Sequence, residues 1–425
     1  MTKRAENSSL AGDRKSRFFY GYVVVLAGFV IWLVAWGAYM TFGVFFKPLL
    51  GEFGWSRAML SGAQTLSQIV IGTTGIVTGW LTDRLGPRLL VIAGGLFLGL
   101  GFWSISHISA LWQFYLVFGV VISIGMGTTV IPIMSTVARW FVERRGLMTG
   151  IVHTGAGLGG VIMPPLAGWL ILNYGWRHSY IVLGIIVLIP IILAAQFLRR
   201  DPGQIGQLPY GEGKVRVDAT SLTAKGFSLR EAIHFQQLWM LWIVFFCIGF
   251  VRSTILVHIA PYATDLGFSL MVGATVVSVI SGTSVLGRVV FGRLGDIIGN
   301  RLTLIISFSL VALILFWVVV AKQLWMLYLF AAIFGLSWGS LAVLRFSVTS
   351  EFFGLGSLGL ILGIVEFGAS VGGASGPFLS GWIFDVTHSY FSAFLITGGV
   401  AITGLLLSWL LRPISNDRAE VELDE

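Results

Sequence analysis

The sequence predicts an all-α membrane protein with twelve transmembrane helices in two six-helix bundles. Its 425 residues are 56% apolar and only 11% charged, against roughly 25% charged residues in a soluble domain. The mean hydropathy is +0.89. Long apolar runs at regular spacing predict the helices, and an internal repeat predicts the two bundles.

Twelve apolar runs are long enough to cross a bilayer, because about 20 helical residues at 1.5 Å each span the hydrocarbon. They lie at residues 20–46, 57–81, 89–107, 111–137, 146–172, 179–197, 238–264, 270–292, 302–320, 324–350, 358–384 and 390–411. We expect a tail at 1–17, a first bundle at 18–197, a central loop at 198–237, a second bundle at 238–411 and an acidic tail at 412–425. The first run is too long for a signal-peptide core and should be retained.

Basic residues are divided unequally between the two sides of the membrane. Of 27 Lys and Arg, 20 lie in the tails, the central loop and the loops on the same side, and 4 lie in the opposite loops. The positive-inside rule therefore predicts cytoplasmic termini in a multi-pass protein of the plasma membrane, which is the inner membrane of a bacterial cell. The sequence pI of 9.8 is explained by this topology. We therefore expect the lipid bilayer as a partner and no nucleic-acid partner.

An internal repeat relates the two halves at one constant offset of 213 residues. Gly150–Leu170 aligns with Gly363–Ile383 without gaps, and 11 of the 21 positions are identical. Pro48–Ser56 aligns with Pro261–Ser269 at the same offset. Because six spans is an even number, both halves share one orientation, and a pseudo-two-fold axis along the membrane normal should relate them. In such folds the substrate site lies near mid-membrane between the halves.

A loop motif carries a family resemblance. Gly79-x-x-x-Asp83-Arg84-x-Gly86-x-Arg88 resembles the cytoplasmic loop motif of the major facilitator superfamily, and Gly292 to Arg301, with Asp296, is a weaker second copy. The resemblance implies that these loop charges form a conformational latch between helices. Its predicted members are Asp83, Arg84, Arg88, Asp296 and Arg301.

Within that superfamily the chain resembles the monocarboxylate porters and oxalate:formate antiporters. The stretches that carry this likeness include Tyr20-Gly-Tyr, Phe45-Phe-Lys-Pro48 and Gly287-Arg288. The resemblance implies transport of a small organic anion, with a proton or by exchange. Met40 and Val130 depart from residues that the group often has, so neither lactate nor oxalate specificity carries over.

Three arginines and one acid lie inside predicted spans, where ionisable groups are costly and usually functional. Arg288 matches the substrate-binding arginine of the porter group, and its planar fork suits a carboxylate. Arg252 is also deep and is a second candidate. Arg345 and Glu366 lie ten and eleven residues from the turn near Leu355, so we expect an ion pair. This pair is either structural or a proton switch.

Further candidates are polar side chains within spans. His153 aligns with Glu366 under the offset and is a possible partner in proton coupling. Tyr39, Gln64, Thr129 and His258 are candidate substrate ligands, although helix packing or a gate is an open alternative for each. The sequence contains no P-loop and no set of residues typical of catalytic or metal sites, so we expect neither an enzyme nor a cofactor.

These observations predict a secondary transporter of a small organic anion, a monocarboxylate that moves with protons, by alternating access. Arg288 should bind the carboxylate. An exchanger of monocarboxylates and dicarboxylates is the alternative within the same class. The remaining alternatives are a drug exporter and a sensor that binds a ligand without transporting it. The fold analogy makes a monomer the default.

Overall fold

Twelve helical spans make up the computed structural model, which describes residues 19–141, 144–211, 227, 229–353 and 358–411. Spans 1 to 4 are Gly21–Phe53, Arg57–Leu85, Pro87–Ile105 and Leu111–Trp140. Spans 5 and 6 form one helix, Arg145–Ala195, which is divided at Gly175. Spans 7 to 12 are Gln236–Asp265, Leu270–Ile298, Asn300–Val320, Leu324–Phe353, Leu358–Thr387 and Phe391–Leu410.

Ten helices in the described part of the chain are long and apolar enough to cross a membrane. One of them counts as two spans, because Gly175 has φ 76° and ψ 163° and interrupts the helical geometry. Span 2 is the twelfth; its 29 residues are long enough, although its Ser, Thr and Gln make it less apolar. The predicted twelve-span architecture is therefore confirmed. The largest shift in a boundary is at span 1, which ends at Phe53 rather than at residue 46.

The repeat is visible in how the helices pack. Spans 1, 2 and 3 pack against spans 5, 4 and 6, and spans 7, 8 and 9 pack in the same way against spans 11, 10 and 12. Gly159 lies against the carbonyl oxygen of Leu33, and its equivalent Gly372 lies against that of Phe246, so that a Cβ at either position would collide. Each pair of helices therefore meets backbone to backbone at the same point.

The buried core follows the same division. One apolar cluster runs from Val24 to Leu198 and includes Val257, and a second runs from Ala232 to Leu411. The central loop between them contains a 3₁₀ turn at Pro202–Ile205 and a short helix at Leu229–Ala232. Residues 212–226, both predicted tails up to residue 18 and from residue 412, and the loop at 354–357 lie outside the described residues.

Contacts between the bundles involve spans 1 and 7, 2 and 11, and 5 and 8. Thr65 on span 2 donates a hydrogen bond to the carbonyl of Ala374, and its equivalent Ser278 on span 8 donates one to the carbonyl of Val161, 2.8 Å away. The acceptors are also 213 residues apart. Span 1 begins and span 12 ends on the same side of the molecule, which we call the termini side. The other side is called the opposite side.

Candidate functional site

A small cavity lies between the two bundles near the middle of spans 1, 2 and 7. Its volume is about 40 Å³, which is room for a few water molecules. The residues that line it are Trp36, Tyr39, Met40, Phe42, Gln64, Gln68, Arg252, Ser253, Leu256 and Val257.

The cavity lies on the pseudo-two-fold axis of the molecule. Tyr39 and Arg252 are equivalent under the 213-residue offset, as are Met40 and Ser253, and all four line the cavity. Equivalent residues of two repeats can share one cavity only where the axis passes through it. One position of the repeat therefore presents the hydroxyl of Tyr39 on one wall and the guanidinium of Arg252 on the other.

Arg252 is the cationic group of this cavity. It lies near the middle of span 7, about 24 Å from one end and about 20 Å from the other at 1.5 Å per residue. Among the residues that the structure describes, it has no hydrogen-bond or ion-pair partner. A charge that is removed from bulk water without a partner is costly, so the site is electrostatically prepared for an anion.

The wall opposite Arg252 is a network of hydroxyl and amide groups. Gln64 Nε2 donates to the Tyr39 hydroxyl at 3.0 Å, and Gln68 Nε2 lies 3.4 Å from the same oxygen. Ser67 Oγ lies 2.8 Å from the Tyr39 hydroxyl, in a position to accept its proton. The ring of Tyr39 stacks on Phe118 with 5.7 Å between centroids. These contacts hold the Tyr39 hydroxyl in place beside the cavity.

The other two intramembrane arginines have partners. Arg345 Nη1 lies 2.5 Å from Glu366 Oε2, and the side chain of Glu366 is half exposed although it is well inside span 11. Arg288 Nη1 donates to the carbonyl of His153 at 3.1 Å, which joins span 8 to span 5. The His153 ring packs edge-on against Trp32, 4.5 Å between centroids. Arg288 therefore contacts the first bundle below the cavity rather than lining it.

These groups lie close enough to form one electrostatic cluster. The charges of Arg288, Arg345 and Glu366 act on His153, and those of Arg345 and Glu366 act on Arg252. The cluster consists of three arginines and one glutamate and so has a net charge of +2. The region between the bundles thus has a positive potential that favours anions.

A lock of charged side chains closes the opposite side. The guanidinium of Arg57 contacts Asp265 at 2.8 Å and the Tyr390 hydroxyl at 2.6 Å, and it lies over the Phe384 ring. Lys47 also pairs with Asp265, at 2.6 Å. These contacts join spans 1 and 2 to spans 7, 11 and 12.

Asp385 adds to this lock through the end of span 2. Its carboxylate accepts the backbone N–H groups of Arg57 and Ala58 at 2.9 and 2.8 Å, where the partial positive charge of the helix N-terminus favours an anion. The hydrogen bonds and ion pairs that join two described residues across the bundles extend from this surface to Arg288. The structure is therefore closed on the opposite side.

Besides Arg288, two further predicted substrate ligands do not line the cavity. His258 is fully buried under the lock: Nδ1 lies 2.9 Å from the Tyr390 hydroxyl, and Nε2 lies 2.9 Å from the Pro377 carbonyl. Burial raises the pKa of Tyr390, so its hydroxyl keeps the proton that it can donate to His258. Thr129 is also buried and donates within its own helix to the Met126 carbonyl, 2.8 Å away. Both side chains are already satisfied by protein groups.

The predicted latch is only partly described. Arg84 lies over the Trp80 ring, Arg88 donates to Gln196, and Arg301 donates to the Trp409 carbonyl. The side chains of Asp83 and Asp296 lie outside the description. The latch as a set of ion pairs thus stays a prediction.

The lock was not predicted from the sequence. Arg57 and Lys47 stand out there only as loop charges that set the topology, and Asp385 is separated from Arg57 by more than 300 residues. One signal was available. Asp265 is the equivalent of Glu52, and an acid kept at the same position of both repeats, with Lys47 and Arg57 near the first copy, indicates paired charges.

Comparison with known proteins decides the family. A profile of the Major Facilitator Superfamily matches residues 25–294 and 274–425. The chain belongs to the Major Facilitator Superfamily. As a member of this superfamily it is a multi-pass membrane transporter of a small molecule and not an enzyme.

Relatives within the superfamily include carriers of organic anions. Monocarboxylate transporter 13 of Rattus norvegicus is 29% identical over 91% of this chain and 87% of its own length. The oxalate:formate antiporter of Oxalobacter formigenes is 28% identical over 70% of this chain and 67% of its own length. The resemblance to the monocarboxylate-porter and oxalate:formate-antiporter group is therefore confirmed.

The fold also matches solved structures of transporters. A bacterial homologue of the human lysosomal transporter Spinster, in an inward-facing and unoccupied conformation, has a TM-score of 0.73 and 15% identity, covering 96% of this chain and 98% of its own. At this identity the likeness shows the fold alone.

Proposed function

We propose that this transporter carries a small organic monocarboxylate together with a proton by alternating access. The observation that supports the proposal best is Arg252, a partly buried guanidinium without a described partner in a cavity on the axis between the bundles. A guanidinium offers two parallel N–H donors that match a carboxylate. Tyr39, held by Gln64 and Gln68, supplies a neutral donor on the facing wall.

Arg288 has a different place in this proposal from the one that the family resemblance implies. In this structure its Nη1 is bound to the His153 carbonyl, and its Nε is buried without a partner. We propose that Arg288 attracts the anion from the termini side and can bind it only after releasing span 5. Arg252 then holds the carboxylate inside the cavity.

Proton coupling is assigned to Glu366 and Arg345. While Glu366 is ionised, Arg345 is neutralised by it at 2.5 Å. Protonation of Glu366 breaks this pair and leaves Arg345 free to offset the charge of an entering anion. One proton and one monocarboxylate then enter together without a change in net charge. His153, in electrostatic contact with both groups, is a candidate for passing the proton.

Alternating access follows from the arrangement of contacts between the bundles. The lock of Arg57, Lys47, Asp265 and Asp385 holds the opposite side shut, and rocking of one bundle on the other would break it. We place both termini in the cytoplasm and the protein in the plasma membrane, on the distribution of basic residues. Under this orientation the structure is closed to the outside, and a monomer is sufficient for the cycle.

The proposal is tested with purified protein in liposomes. Counterflow of labelled formate, acetate, lactate, pyruvate, oxalate and malate is measured with and without an inward proton gradient. We expect exchange of a monocarboxylate and its accumulation when the gradient is imposed. Arg252→Lys should weaken exchange strongly, while Arg230→Lys, an exposed residue of the central loop, serves as the matched control.

The other outcomes each favour one rival. Exchange that is indifferent to the gradient would point to an antiporter of monocarboxylates and dicarboxylates. No exchange of any anion would contradict the proposal and favour a drug exporter or a non-transporting sensor.

A further inference from the structure

Two unsatisfied polar atoms, in addition to Arg252, belong to residues that line the cavity. The indole Nε1 of Trp36 is buried and has no acceptor in the described part of the chain. The amide Oε1 of Gln64, whose side chain is only 6% exposed, is buried and has no donor there. Arg252 and Trp36 are donors, whereas Gln64 Oε1 is an acceptor. A molecule that satisfied all three would need both kinds of group.

The orientation of the Gln64 amide follows from its neighbours. Tyr39 can donate its one hydroxyl proton to Ser67 Oγ, 2.8 Å away. Its oxygen then accepts from the Nε2 groups of Gln64 at 3.0 Å and Gln68 at 3.4 Å. With Nε2 of Gln64 used in this way, Oε1 is left over. A buried carbonyl oxygen without a donor is destabilising, and bound ligands commonly satisfy such groups.

We propose that Gln64 is a specificity-determining residue that reads a hydroxyl group on the substrate, so that the transporter prefers a small hydroxycarboxylate. This inference rests on the proposed function, since it takes the carboxylate to be bound by Arg252. Formate, acetate and oxalate have no hydrogen-bond donor near neutral pH and would leave Gln64 Oε1 unsatisfied. A hydroxyl next to the carboxylate supplies the missing donor within the small volume of the cavity.

An ammonium group is the other common donor, and the charges argue against it. Arg252, Arg288 and Arg345 give the region an excess of positive charge over Glu366, the acid of the same cluster. An ammonium group on the substrate would be repelled by these arginines, whereas a hydroxyl group carries no charge. The preference should therefore be for hydroxy acids over amino acids.

Only the first bundle has a glutamine at this position of the repeat. The equivalent of Gln64 on span 8 is Val277, which is buried and apolar. The hydroxyl is thus directed to span 2 and the carboxylate to span 7, so that one substrate contacts both bundles. A ligand without the hydroxyl would be held mainly by the second bundle.

The test compares two two-carbon acids of nearly equal size by calorimetric titration of the full-length protein. Glycolate carries the hydroxyl, and acetate lacks it. We expect glycolate to bind at least about tenfold more tightly than acetate, the ratio that roughly one hydrogen bond contributes. Gln64→Met, which has nearly the same shape without the amide oxygen, should reduce this ratio to about one by weakening glycolate and not acetate.

The matched control is Gln68→Met, one helical turn away. Its amide also reaches Tyr39, so it should change the affinities for glycolate and acetate by the same factor and keep their ratio. Acetate that binds as tightly as glycolate to the unaltered protein would overturn the proposal, and so would a glycolate preference that survives Gln64→Met. If neither acid binds, the proposed function fails at Arg252 and this inference fails with it.

Discussion

The two bundles share a backbone plan but differ in where they carry charge. Spans 1 and 5 meet at the same glycine position as spans 7 and 11, and Ser56 and Ser269 cap spans 2 and 8 alike. At the cavity, however, Tyr39 of the first bundle faces Arg252 of the second. The comparison shows that packing positions were kept after duplication, while the positions on the axis diverged to give a neutral wall and a cationic wall.

The opposite surface shows a second divergence between equivalents. Glu52 pairs within the first bundle, with Arg177 at 2.7 Å and Trp176 at 2.5 Å. Its equivalent Asp265 pairs with Arg57 and Lys47 of the other bundle. The equivalent of Arg177 is Tyr390, which has no cation to offer Asp265 and itself contacts Arg57. Loss of one basic residue in the second bundle thus leaves its acid available for a contact across the interface.

The largest expected effect comes from making the cavity symmetric. Arg252→Tyr places the first bundle's residue on both walls and removes the cation. We expect the affinity for the transported anion to fall about 100-fold, since losing one partner of a buried charged pair costs roughly 2–5 kcal/mol. Half-saturation in counterflow measures this, with Tyr39→Phe as the smaller change. A variant with near-normal affinity would show that Arg252 is not the anion site.

The next largest effect concerns the position that is His153 in the first bundle and the acid Glu366 in the second. Glu366→Gln removes the titratable acid but keeps its shape, so exchange should continue while accumulation driven by an inward proton gradient is lost. Uptake in proteoliposomes with and without the gradient measures both. Glu351→Gln, an exposed acid at the end of span 10, should leave coupling intact. Accumulation of substrate by Glu366→Gln under an inward proton gradient would contradict the assignment of the transported proton to this residue.

A third prediction concerns the divergence at the opposite surface. Arg57→Gln removes the charged contacts with Asp265 and Tyr390, so the opposite side should open more often. We expect a Ser61→Cys reporter, in a Cys247→Ala background, to react about tenfold faster with an impermeant maleimide, because charged hydrogen bonds contribute roughly 1.5–3 kcal/mol. Arg177→Gln breaks the equivalent pair within one bundle and should leave the labelling rate unchanged. Equal acceleration by both variants would contradict the asymmetry.

The smallest effect is expected at a turn. His388 has φ 54° where its equivalent is Gly175 with φ 76°. A side chain in the left-handed region costs roughly 1–2 kcal/mol, and the added flexibility of the unfolded chain offsets part of the gain from glycine. His388→Gly should therefore raise the melting temperature in detergent slightly, and Gly175→Ala should lower it. A lower melting temperature for His388→Gly would show that the side chain is stabilising there.

The sequence was sufficient to predict the spans, the repeat and the group of intramembrane charges, because hydropathy and a constant offset are properties of the chain itself. Arg345 and Glu366 are also near in sequence, across one turn, so their contact was accessible. The lock, the buried position of His258 and the contact of Arg288 with a backbone carbonyl depend on how the bundles are oriented. No local pattern encodes that orientation. The family resemblance favours Arg288 as the anion ligand, whereas the position of Arg252 in the cavity became visible only once the bundles were in place.

The two equivalent hydroxyl contacts, from Thr65 and Ser278, have a mechanical consequence. Each donor lies eight residues from the opposite end of its span and 20 from the other end, or about 12 and 30 Å at 1.5 Å per residue. If the bundles tilt about these two points, they act as an off-centre fulcrum, and the long arms on the termini side sweep about two and a half times as far as the short arms. A displacement just large enough to part the lock would then be amplified into closure at the far end, so the two gates need not travel equal distances.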